Sequence, residues 1–256
     1  MHCKSILFIV LLSLFNFSCK AQISASRIKI VKPTIEQEAT SIWRTINDIT
    51  FFENQGYTIN LPKDSLIDRL IVKSKEGKFG NEDLPVIYDF VENKIYDQND
   101  YDKAIQKLTD HTRLIDSLVD KISATSKDWD WKFKLFDEYK IVFTLYGTGG
   151  SYDPDEGLIT LLTNKEGNFM NYENPANTVI HEIVHIGIEH SIIRKYNVTH
   201  PLKERIADNF VHLNYGESLP NYKVQQMGDE RLDAYIKDKD DFKDLETVIE
   251  KILNDN

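Results

Sequence analysis

Apolar residues recur at helical spacing from about residue 34 to 52, with Ile35, Ala39, Ile42 and Ile46 on one face and Trp43 beside them. That period predicts an amphipathic helix. A clearer stripe runs over 101–123, where Ile105, Leu108, Ile115, Leu118, Val119 and Ile122 share a face. The stretch between them is mixed, and Gly77 and Gly80 mark turns. Stripes of this kind serve core packing and carry no chemistry. The texture then changes. Residues 131–136 alternate apolar and charged positions, and 139–146 are rich in β-branched and aromatic residues, so both segments read as strands. Gly147, Gly149 and Gly150 interrupt the second, Asp153 to Gly157 has turn chemistry, and 157–162 is a further short strand. Asn174 caps a helix that begins at Pro175, where a missing N–H costs nothing. Residues 201–213 form a second helix closed by Asn214, Tyr215 and Gly216, and a C-terminal helix is expected over about 240–253.

The expected fold class is α+β. A mostly helical region over 22–130, starting with a short tether over 22–33, precedes a region over 131–256 with a small twisted sheet and two prominent helices. The 256 residues are 41% hydrophobic and 28% charged, ordinary for a globular chain and too apolar for disorder. The formal charge of −10 and the lack of any long basic run exclude a nucleic-acid partner.

Residues 1–21 read as targeting rather than fold. Lys4 precedes an almost wholly apolar run over 5–17, followed by Ser18, Cys19, Lys20 and Ala21. A positive start, a short apolar stretch and small residues at the exit make a secretory signal, and the run is too short to span a bilayer. Two exits are open: cleavage after Ala21, or a lipobox in which Cys19 becomes the lipidated first residue. The second has Asn16 where leucine is usual. Localisation is therefore expected in a bacterial-type cell envelope or outside the cell. Membrane contact is expected only through a lipid on Cys19. Cys3 and Cys19 are the only cysteines, so the mature chain has no intramolecular disulfide.

Chemistry concentrates in the Pro175 helix, which contains His181-Glu182-Ile183-Val184-His185. Residues four apart share a helix face, so both imidazoles can address one ion, with Glu182 close enough to reach a water on it. Flanking Val179, Ile180, Ile186 and Ile188 predict burial, where unpaired polar groups are costly. A catalytic zinc needs a third protein ligand and an open position. His190 lies about 180° around an unbroken helix from His181, and His200 stands at a helix entrance before Pro201. Glu204, on the next helix, is the better candidate, and Asp208 four residues on shares its face, placed to accept the other N–H of a ligating histidine.

The pattern His181-Glu182-x-x-His185 followed by Glu204-x-x-x-Asp208 resembles the gluzincin metallopeptidases. The segment Glu204-Arg205-Ile206-Ala207-Asp208 looks like the glutamate helix of thermolysin-like enzymes, and the same set resembles the membrane-associated CAAX-type endopeptidases. The spacing over 186–203 is similar to that of zinc aminopeptidases, although Lys203-Glu204-Arg205 stands where those have Asn-Glu-Gly. The resemblance covers about 139–215 and assigns a superfamily rather than one family. It implies a zincin-like catalytic region with one catalytic Zn²⁺ on His181, His185 and Glu204. It also implies hydrolysis of a peptide or protein substrate by a metal-activated water with Glu182 as general base. An edge strand ahead of the motif helix would pair with extended substrate, a part that falls to 157–162, and Tyr196, His212 and Tyr215 are candidates to stabilise the oxyanion. The competing expectation is a non-catalytic zinc-binding envelope lipoprotein with a binding or scaffold role on the same fold.

Overall fold

A computed structural model describes residues 26–169 and 174–254. The expected signal segment and Cys19 lie outside these residues. The fold is α+β, with a mixed four-stranded sheet packed against helices.

The strands are β1 (Ile28–Ile30), β2 (Tyr139–Thr144), β3 (Gly150–Asp153) and β4 (Leu158–Leu162), in the order β1-β2-β4-β3. β1 and β4 both pair parallel to β2, with Ile141 opposite Ile30 and Ile159. β3 pairs antiparallel to β4, with Tyr152 opposite Ile159. The tether expected over 22–33 therefore contains a strand, too short to show an alternation in sequence. The strand expected over 157–162 is internal, not an edge. The turn after Asp153 folds β3 back over it, with Asp153 Oδ1 accepting the N–H groups of Asp155 and Glu156 and Gly157 at φ +62°. β3 is the edge.

Residues 131–136 form no strand. Trp131 and Phe133 are buried while Lys132 is exposed, so the alternation is real. The segment runs over a helix instead of joining the sheet, and Lys134 N–H donates to Gly187 O. A Cβ on Gly187 would lie 2.0 Å from the Phe133 ring, so glycine is there for close approach.

Along the chain the helices are α1 (Ile35–Asn47), α2 (Ile49–Asn54), α3 (Ser65–Lys75), α4 (Leu84–Phe90), α5 (Asp102–Thr109), α6 (Thr112–Thr125), α7 (Pro175–Ile188), α8 (His200–Tyr215) and α9 (Leu245–Asn254). The helix expected over 34–52 is interrupted at Asp48, and the long stripe over 101–123 is interrupted at Asp110 and His111, where His111 Nδ1 meets Lys107 O at 2.7 Å. Leu108, Ile115, Leu118, Val119 and Ile122 still bury one continuous face. α9 starts five residues later than about residue 240, because a 3-10 turn over Lys239–Asp244 precedes it. No described helix is long and apolar enough to cross a membrane.

The main core unites α5, α6, the sheet, α7, α8 and α9, and a smaller apolar cluster joins α1, α3 and α4. Tyr96 and Tyr146 pack against both. Glu38 of α1 crosses between them, accepting from Leu145 N–H at 2.9 Å and Tyr101 O–H at 2.8 Å, with Thr144 on its other oxygen. α1 is thereby fixed against the end of β2.

Candidate metal centre

α7 is apolar around most of its circumference, and every residue from Val179 to Ile188 is buried. Its start follows the expected cap, with Asn174 accepting from Ala176 N–H at 2.9 Å and Pro175 at the first turn. A helix this apolar must be enclosed. Three of its ten residues from Val179 to Ile188 are nevertheless His181, Glu182 and His185. Polar groups at that depth need partners.

α8 supplies them. The two histidine Nε2 atoms lie 2.9 Å apart, and Glu204 Oε2 is 3.4 Å from that of His181 and 3.3 Å from that of His185. The three candidate ligand atoms fall within 4.8 Å of one another, and all three residues are buried. Two imidazole lone pairs and one carboxylate oxygen are a donor set that fits a borderline metal ion. The buried group could hold a metal ion.

The surroundings fix the donors. Tyr222 O–H donates to Asp208 Oδ1 at 2.6 Å and lies 2.6 Å from His181 Nδ1, while Asp208 Oδ1 itself is 3.4 Å from that nitrogen. Asp208 thus reaches His181 mainly through a phenol. That bridge orients the Nδ1–H outward and leaves Nε2 as the lone-pair nitrogen. Gln225 holds both carboxylates, its backbone N–H on Asp208 Oδ2 at 2.7 Å and its Nε2 on Glu204 Oε2 at 3.2 Å. Tyr152 of β3 stacks on His185, ring centroids 5.1 Å apart and planes 10° apart, and its hydroxyl donates to Glu189.

The electrostatics follow from burial and neighbours. Burial opposes a charge on His181, yet Asp208 and Glu204 hold its value above the ordinary imidazole range. Burial holds His185 below that range, Glu204 opposing and His181 adding. Against its own burial, Glu204 is kept well below the usual carboxylate range by His185 and His181. Burial pushes Glu182 up to about 7; His181 pulls it back and Glu204 pushes it further. A carboxyl near neutrality suits proton transfer at physiological pH.

These side chains open onto a cleft of about 1020 Å³. Its opposite wall comes from the N-terminal region: Ser41, Arg44 and Thr45 of α1, then Phe51, Phe52 and Tyr57. Tyr57 O–H meets His200 Nε2 at 2.9 Å, and His200 Nδ1 lies 3.6 Å from Glu204 Oε1. His200 is therefore beside the cluster and outside it. His190 is on the surface, 2.9 Å from Asp155 Oδ1. Tyr196, His212 and Tyr215 do not line the cleft; Tyr196 donates to Glu250 and Tyr215 is buried against Phe210. All three stand close in sequence to Glu204, but their side chains leave α8 and the preceding turn away from the cleft.

The loop after Thr144 brings Gly147 to φ +146° and Gly149 to φ +156°, conformations open to glycine. Gly150 then passes so close to α7 that a Cβ there would lie 2.2 Å from Glu182 Oε1. Tyr222, Gln225 and Tyr57 carried no signal of their own in the sequence, and Gly150 showed only as a break after a strand, because each acts through a contact with residues far along the chain.

No protein-family model, curated protein or solved structure matches this chain.

Proposed function

We propose that the chain is a zinc-dependent metallopeptidase with a zincin-like, gluzincin-type site, and that it works after export to the cell envelope. The observation that carries this reading is the convergence of His181 and His185 Nε2 on one Glu204 oxygen, with Glu182 beside them at the floor of an open cleft. A structural zinc site closes its coordination with protein ligands, whereas a catalytic one keeps three and an open side. The cleft favours the second over a scaffold.

His181, His185 and Glu204 would hold the ion, and Asp208 with Tyr222 would keep His181 in its ligating tautomer. When bound, zinc supplies Lewis acidity to a carbonyl and to a water. Glu182 accepts a proton from the attacking water and returns it to the leaving amine, work that suits a carboxyl shifted up by burial. The free edge of β3 offers main-chain hydrogen bonds to an extended peptide. Tyr57 and His200 put donors on the far side of Glu204, replacing the candidates that face elsewhere.

The test is metal content and turnover of the purified mature protein. Wild type should carry about one zinc per chain, a stoichiometry that follows from one three-ligand site, and Glu204→Ala should lose it. Glu182→Gln should keep zinc and lose hydrolysis of denatured protein substrates. Equal inertness of wild type and Glu182→Gln across varied substrates, with zinc bound in both, would favour the scaffold reading instead.

A further inference from the structure

The chain carries a formal charge of −10, yet its cleft does not share that sign. Arg44, Arg194, Lys203 and Lys223 line it against three carboxylates, Glu182, Glu189 and Glu204, with no aspartate among them. On the peptidase reading Glu204 is spent on a dication, which raises the positive surplus further. With a dication in place the cleft would hold more positive than negative groups, a balance that draws in and orients anionic ligands.

The cations differ in their commitments. Arg194 is paired with Glu189 at 3.0 Å and Asp155 at 3.5 Å. Lys203 lies 3.5 Å from Glu204 Oε1 and 3.5 Å from Tyr152 O–H. The side chain of Arg44 is exposed, makes no hydrogen bond or ion pair with the described residues, and acts on Glu182 only through its charge. Its place is fixed. Ser41 and Thr45 share its helix face; Ser41 donates to Tyr146 O at 2.8 Å, and both hydroxyls lie within 4 Å of where a Gly147 Cβ would be. Arg44 therefore stands over the glycine loop that leads into β3, on the side of Gly150 and Glu182. A peptide pairing antiparallel to β3 would bring its C-terminal half toward that end. A guanidinium fork takes a carboxylate in two parallel hydrogen bonds.

Resting on the peptidase reading, we infer that the cleft selects peptides with a carboxylate on the C-terminal side of the scissile bond, and that Arg44 binds that group. Either an acidic side chain or a free C-terminus supplies the chemistry.

The test is equilibrium binding of three matched fluorescent peptides to the zinc-loaded Glu182→Gln protein: one with a glutamate and an amidated end, one with a free C-terminus and no acidic residue, and one neutral and amidated. At least one carboxylate peptide should bind about tenfold to a hundredfold tighter than the neutral one, the range for hydrogen bonds to charged groups. The arm that gains identifies the source. Arg44→Gln in the same background should bring the ratio near unity, and Arg44→Glu should turn it toward a lysine peptide. Indifference to carboxylates, or a preference untouched at Arg44, overturns the inference. Parallel digestion by wild type separates the two readings. Cleavage regardless of charge removes only this inference, whereas Arg44-dependent binding without any cleavage removes the peptidase and leaves the specificity.

Discussion

Alanine at Gly150 tests whether the edge strand positions Glu182. A Cβ there would lie 2.2 Å from Glu182 Oε1, 2.9 Å from its Cδ and 2.7 Å from Thr178 Cγ2, where ordinary contact begins at 3.4 Å. Something has to move by about 1 Å. The carboxylate is the far end of a flexible side chain, so it moves more cheaply than the backbone of α7 or β3. Folding should survive at an overpacking cost of about 1–3 kcal/mol. Proton transfer should not. A misplacement of about 1 Å in a reacting group costs on the order of 10²-fold, equivalent to about 2.7 kcal/mol of barrier. Glu182 is not among the three candidate ligands, so zinc should stay bound. The assay compares kcat on a fluorogenic denatured protein, zinc content and thermal melting for wild type, Gly150→Ala, Glu182→Gln and the double variant. The expected pattern is a large loss of kcat in Gly150→Ala, intact zinc, a small fall in Tm, and no further loss when Gly150→Ala is added to Glu182→Gln, since both act on one group. Wild-type kcat in a folded Gly150→Ala protein would refute the claim that the β3 edge and Glu182 form one unit.

Tyr222→Phe removes the hydroxyl between His181 and Asp208; chelator competition should show zinc affinity about 10–100-fold weaker, the usual effect of such outer partners, with the fold retained. Burial raises the value of Glu38 above the ordinary 4.5, so the folded chain binds this proton more tightly than the unfolded one, and its contribution to stability is present below 4.5 and lost as pH rises through the shifted value. Glu38→Gln keeps the acceptor for Leu145 and Tyr101 and offers an N–H to Thr144, whose own hydrogen goes to Tyr146 O; urea melts should show glutamine gaining on glutamate as pH rises from 4.5, and a flat difference would refute the assignment. Glu38→Ala leaves those donors unpaired and should destabilise by about 1–3 kcal/mol below pH 4.5, with the deficit shrinking as pH rises through the shifted value.

How much of this was legible in the chain depended on whether a residue's neighbours lay on its own element. His181, Glu182 and His185 are read together because a helix of 3.6 residues per turn makes sequence spacing into spatial adjacency. The cap at Asn174 and Pro175 placed the helix start to the residue. Glu204 and Asp208 came from the same rule applied to the next helix, and the structure brings Glu204 to both imidazoles. Sheet order was a different matter. The segment over 157–162 had the composition of an edge strand and of an internal one alike, and only the hairpin made by β3 decides between them. β3 itself, Gly150–Asp153, has little β-propensity outside Tyr152, because its glycine must pass against Glu182 and its aspartate turns the chain into β4. Local preference is set aside there by the needs of the cleft, as expected where a site constrains its scaffold. The same reasoning explains the hidden bridge of Tyr222, 41 residues beyond His181 in a segment without regular period. It also explains the N-terminal wall. The stripe on α1 announced a packed face through Ile42 and Ile46, but the polar residues beside those positions looked like solvent-facing ones. Ser41, Arg44 and Thr45 become cleft residues only because Glu38 ties α1 to the end of β2. A single buried carboxylate, with the packed face of Ile42 and Ile46, thus turns the other face of the helix toward the cleft, and no periodicity records that choice.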